Sequence, residues 1–167
     1  MNTPTNLVEF DISHLQRFRK KDLLRQFIPS VDVAPMGAQI ILETLEGNVT
    51  ITASEDTYIM IGPCNDVYPL TRERFFQQYQ IVSDSLPVCN PWGVDPQKIR
   101  SCKLKAPSYI YAKAVDQDFC VFVREHNAMI HGKKGDFYAV SADLIDHPYI
   151  IQAEVMTQTY DMDEPVA

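Results

Sequence analysis

The residues best suited to chemistry crowd into one stretch. Two histidines bracket "HNAMIH" as His126 and His131, "HGKKGD" follows with Lys133, Lys134 and Asp136, and His147 stands in "DLIDHPY". A pair of histidines can hold a metal or move a proton, but residues five apart do not have the one-turn spacing of a helical zinc pair. His147 follows Asp143 and Asp146, an order that could mimic an Asp–His pair but that a polar loop between two strands explains better. Cys120 with His126 or His131 would make a nucleophile–base pair. Its setting, "DFCVFV", reads as a strand interior, where a thiol is shielded rather than activated. The two glycines and two lysines of "HGKKGD" lack the register of a phosphate-binding loop, although an exposed turn with two lysines could attract an anion. Trp92, inside "NPWG", either plugs a linker onto a domain or is exposed for binding. The candidate binding residues are therefore Trp92, His126, His131, Lys133, Lys134, Asp136 and His147. No catalytic set, metal site or cofactor is expected.

Charge narrows the partners. The chain has 167 residues, with 22 acidic and 15 basic side chains and a net charge of −7, the acids being shared evenly between the halves. That balance argues against sequence-independent nucleic-acid binding, which needs Lys and Arg to neutralise phosphates. The one basic cluster, "RFRKK" at residues 17–21, reads as a solvated helix face or a local anion patch. Cys64, Cys89, Cys102 and Cys120 show no CxxC spacing and read as buried thiols. No apolar run approaches the roughly 20 residues of a membrane helix, and the first residues show no Sec signal, so a cytoplasmic protein off the membrane is expected.

These residues need elements to hold them. The segment "DISHLQRFRKKDLLRQFI" predicts helix, with Asp11 or Ser13 capping its first turn. "AQIILETLEGNVTITAS" is a hairpin pattern, "TYIMIG" a buried strand and "DVYPL" a strand whose Pro69 suits an edge. Thr71 can cap a helix over "RERFFQQY" that turns Phe75, Phe76 and Tyr79 inward. Residues 81–101, rich in proline and turn formers, read as a linker. The order then returns: "APSYIYAKAV" and "DFCVFVRE" as strands, "AMIHGKKGDFYAV" as a hairpin turn into a strand, "PYII" as a strand and "AEVMTQTY" as a helix.

Landmarks keep step between the halves. Tyr68 and Tyr149 lie 81 positions apart, as do Tyr79 and Tyr160; Tyr58 and Phe137 lie 79 apart, and the "AP" pairs at 34–35 and 106–107 lie 72 apart. An internal duplication follows. The fold class expected is α+β: two related modules, each a short antiparallel sheet ending in a helix, preceded by an N-terminal helical segment. The boundaries are a helical segment at 1–30, repeats at 31–80 and 102–161, a linker at 81–101 and a tail at 162–167.

Both copies resemble a small, uncharacterised phage and bacterial module, the PGDYG-like family, with T-L-E-G, then G-D-Y-I-I, Y-P and F-x-x-T-Y. The first copy carries the likeness in "ETLEG", "TYIMIG", "VYPL" and "FFQQY", the second in "GKKGDFYAV", "PYII" and "VMTQTY". The first has "EDTY" in place of Gly-Asp before the aromatic, and the second has Met156 where the family has an aromatic. The resemblance implies an α+β module and no particular reaction. The function expected is therefore a non-enzymatic binding or regulatory protein of inhibitor, adaptor or effector type. It would hold a partner protein on a surface formed by the two modules. The alternative is a small enzyme or a nucleotide- or anion-binding protein using the inter-repeat cleft or the second-repeat hairpin.

Overall fold

The computed structural model describes residues 6–44, 47–62, 66–83, 90–124 and 127–163. Its N-terminal part contradicts the helix expected there. Ile12–His14 form a single 3-10 turn, with the Asp11 carboxylate accepting from the Ser13 N–H, and two strands follow, β1 (Gln16–Lys20) and β2 (Arg25–Pro29). The reason lies in burial. Arg25, Gln26, Phe27 and Ile28 are all buried, because β2 is covered on both faces. A strand of that kind loses the two-residue alternation that marks one in sequence, and its apolar spacing then mimics a helix.

The fold class is corrected accordingly. Among the described residues are fourteen strands, paired antiparallel, and only two seven-residue helices, so the protein is mostly β and is not a pair of α+β modules behind a helix. The chain forms two compact units, one of residues 22–107 and one of residues 1–21 with 108–167. No helix among the described residues is long and apolar enough to cross a membrane.

The contiguous unit runs β2, the hairpin β3 (Gln39–Thr44) and β4 (Gly47–Thr52), then β5 (Thr57–Ile61), β6 (Val67–Thr71), α1 (Arg72–Gln78), β7 (Tyr79–Val82) and β8 (Arg100–Leu104). Its five-stranded sheet has the order β6-β5-β2-β8-β7. One sheet face carries Ile28, Ile59, Ile61 and Val67 and is covered by Ile40 and Leu42 of the hairpin. The other packs Phe27, Met60, Cys102 and Leu104 against Phe75 and Tyr79 at α1. Thr71 caps α1 as its sequence suggests, the hydroxyl accepting from the Arg74 N–H at 3.1 Å, and Pro69 sits in the edge strand β6. Phe76 departs from the expected inward face: it is 38 % exposed at the rim, edge-on to Phe75 and Tyr58.

The second unit follows the same plan. After β9 (Tyr109–Ala114) come the hairpin β10 (Phe119–Val123) and β11 (Ala128–Gly132), then β12 (Phe137–Ser141), β13 (Leu144–Ile151), α2 (Ala153–Thr159) and β14 (Tyr160–Met162). Its sheet order, β13-β12-β9-β1-β14, matches the first strand for strand. The registers agree with the landmarks: Tyr58 and Phe137 pair with Leu70 and Ile151, and Tyr68 and Tyr149 pair with Met60 and Ala139. The "AP" pairs are not equivalent, since Ala34-Pro35 follows β2 whereas Ala106-Pro107 precedes β9.

In each sheet the strand beside the last comes from elsewhere in the repeat pattern. β8 fills that place in the contiguous unit, and β1, from the far end of the chain, fills it in the other.

Candidate functional site

Of the sequence candidates, His131 lies on the hairpin β10–β11, and Lys133, Lys134 and Asp136 lie in the turn that leaves it. Register fixes which side chains share a face: Phe119 lies opposite Gly132, Cys120 opposite His131, Val121 opposite Ile130 and Phe122 opposite Met129. Directly opposed residues point the same way and alternate along each strand. Phe119, Val121 and Val123 therefore face inward, onto Tyr138, Val140 and Ile150. Gly132 is demanded there, because a Cβ at that position would stand 2.5 Å from the Phe119 ring.

Cys120, Phe122, Met129 and His131 form the outer face. Cys120 is only 2 % exposed, because residues 6–8 run beside β10: the Cys120 N–H donates to the Asn6 carbonyl at 2.8 Å and the Val8 N–H to the Cys120 carbonyl at 3.0 Å. Phe122 and Met129 stay open at 41 % and 42 %, and His131 is exposed. The outer face is thus an apolar pair with an imidazole beside it. Register places a thiol opposite that imidazole, and the segment of residues 6–8 covers the thiol.

The turn after β11 is held by carboxylates. Asp136 accepts from the Lys133 N–H through Oδ2 and from the Ala153 N–H through Oδ1, both at 3.0 Å, so one side chain closes the turn and caps α2. Gly135 supplies the left-handed residue at φ 96°. The Lys134 N–H donates to Asp118 at 3.0 Å, and its ammonium lies 4.0 Å from Asp116. Three carboxylates around two lysines leave this turn poorly suited to an anion. His147 lies on β13, its Nε2 3.8 Å from the carboxylate of neighbouring Asp146.

Trp92 belongs to the other unit, where it packs on the core around Ile28 and Ile59 beside Val94. Asn90 fixes the turn beneath it, its side chain exchanging hydrogen bonds with the backbone of Val94 at 2.6 and 3.1 Å. His126, Cys64 and Cys89 lie outside the described residues. Among those described, no group of three or more His, Cys, Asp or Glu is placed to hold a metal. Residues 17–20 of the "RFRKK" cluster lie in strand β1, where Arg17 pairs with Asp163 and lies 5.0 Å over the Tyr109 ring, and Lys21, just after it, pairs with Asp161 at 3.7 Å.

Phe122 and Met129 did not figure among the sequence candidates. Their signal is faint, since an unbroken apolar run such as "FCVFV" suggests burial on both faces. One protected residue, Cys120, hides the change from buried to open along the outer side.

No protein-family model, curated protein or solved structure matches the chain.

Proposed function

We propose that the chain is a non-enzymatic binding protein whose partner is another protein, engaged through the outer face of β10–β11. The supporting observation is the open cross-strand pair Phe122–Met129. Aromatic residues and methionine are the types enriched at the centres of protein interfaces, and methionine adapts its shape to what it meets. His131 on the same face, with Arg124 at the hairpin's turn, would supply a polar rim. A partner with an apolar centre and a polar margin fits that arrangement.

The corresponding hairpin β3–β4 supports assigning this role to one repeat only. Its outer side carries Gln39, Ile41 and Glu43 opposite Thr52, Thr50 and Asn48, a polar face with a single open isoleucine. The kinship of the two halves, including their likeness to the PGDYG-like module, is on this reading kinship of a folding unit.

The test uses the intact chain as bait beside the double variant Phe122→Ser, Met129→Ser. Both side chains are exposed, so the variant should melt within about 0.5 kcal/mol of wild type in stability. A protein retained by the wild type and lost by the variant, with affinity reduced at least about tenfold for loss of an interface centre, is the expected result. Equal retention by both would remove this face from the function.

A further inference from the structure

Each five-stranded sheet takes its fourth strand from just before the other's central strand. Asp11 caps a 3-10 turn by accepting from the N–H two residues on; Leu15 follows, then β1. Asp95 does the same with Gln97; Ile99 follows, then β8. The two turn–strand arms lie 84 positions apart, and each reaches the next strand through four residues, 21–24 and 105–108. The arms are therefore counterparts, each standing just before the central strand, β2 or β9, from which the shared plan runs. Yet β1 pairs with β9 and β14 of the second repeat, and β8 pairs with β2 and β7 of the first. Leu15 packs on the second repeat's core and Ile99 is buried in the first's. The exchange is reciprocal.

We infer that the slot between β9 and β14 is an acceptor for a donated strand, and that the arm of a second copy of this chain can fill it, giving an arm-exchanged dimer. Three observations support the arm as a separable donor. It docks as one continuous segment: the backbone of residues 6–8 on Cys120, Phe10 edge-on to Tyr138 at 5.1 Å, and Phe18 against Phe137 at 6.0 Å. It is N-terminal to every strand it touches and joins the contiguous unit only through residues 21–24. And the same kind of donation is already made within the chain, by β8. A strand supplied in trans makes the contacts of the strand supplied in cis, so exchange costs little beyond association, and a short connection favours it.

The experiment mixes unlabelled and nitrogen-15-labelled protein, unfolds and refolds the mixture at high concentration, and weighs the products by native mass spectrometry. A dimer of intermediate mass is expected. Phe18→Asp, which spoils the arm opposite Ile110, should abolish it. Co-refolding Phe18→Asp with Ile110→Asp should restore a heterodimer, because one copy keeps a sound slot and the other a sound arm. Should these aspartates prevent folding, a Gly-Ser insertion after Asp22 leaves arm and slot intact and relaxes the connection, so the dimer fraction should fall several-fold. Wild-type protein that stays monomeric at every concentration would overturn the inference. So would a dimer that survives Phe18→Asp, or one whose fraction the insertion leaves unchanged.

Discussion

Asp136 shows how one residue can join two elements. Its two carboxylate oxygens hold the β11–β12 turn and the first turn of α2, where a free N–H would otherwise go unpaired. Asp136→Ala should cost about 2 kcal/mol, a cap and a turn bond lost together. Asp136→Asn, which keeps one oxygen acceptor, should recover roughly half, and urea unfolding of both variants against wild type measures this. Tyr138 carries a pH dependence. Burial pushes its phenol above the ordinary range; a backbone hydrogen bond with Phe10 pulls it back, and the Glu9 charge adds to the upward push. The folded protein then keeps this proton where the unfolded chain loses it. Its contribution is complete below the unfolded value of about 10 and is lost as pH rises through the folded one. Denaturation midpoints taken between about pH 9 and 11 should fall more steeply for wild type than for Tyr138→Phe. Equal slopes would remove Tyr138 as the source. The turn role of Asp136 is legible in "KKGD", since Gly-Asp between two strand patterns signals a turn. Its reach to α2 is not, because no spacing rule links a turn to a helix 17 positions on.

The two helices solve one problem in different ways. Thr71 caps α1 from within its own segment, whereas Gln152, in the same place before α2, makes no side-chain cap bond and the helix borrows Asp136 instead. Thr71→Ala should therefore cost the contiguous unit about 1 kcal/mol, read as a shifted urea midpoint at unchanged slope. A changed slope would mean that the substitution altered more than the cap. Elements with their own punctuation were readable: the first hairpin, the edge strand with Pro69 and both short helices sit where turn residues and aromatic spacing put them, whereas the hairpin turn expected in "AMIHGKKGDFYAV" is a turn between different sheets, since β11 pairs with β10 and not with β12. The N-terminal strands were not. β2 is buried on both faces and β1 shows a single buried residue, Phe18, among charged neighbours. Neither has the alternation that separates strand from helix, and tertiary pairing overrides a local helical preference.

At the level of the chain, the repeated sheet plan was legible in its tyrosines and the source of each sheet's fourth strand was not. "DISHLQRFRKK" and "DPQKIRSCKLK" share an aspartate, an aliphatic residue four positions later and a basic tail, but Phe18 answers to Cys102, and proline obscures the second turn. The pairing partner of a strand is a long-range fact, set by which sheet leaves a place open. The consequence is a division of stability. Residues 22–107 contain every strand of their own sheet, while the other unit closes only when β1 reaches β9 and β14. Phe18 is the buried side chain of that closing strand, set against Ile110 in register and edge-on to Phe137. Phe18→Ala should cost about 3 kcal/mol or more, the usual loss for a buried phenylalanine. The loss should fall on one unit. In native-state hydrogen exchange, amides of β9, β12 and β14 should open more readily, while those of β2, β5 and β8 keep wild-type protection. Uniform loss of protection across both sets would mean that the two sheets unfold as one, and the N-terminal arm would then support the whole chain rather than the unit it completes.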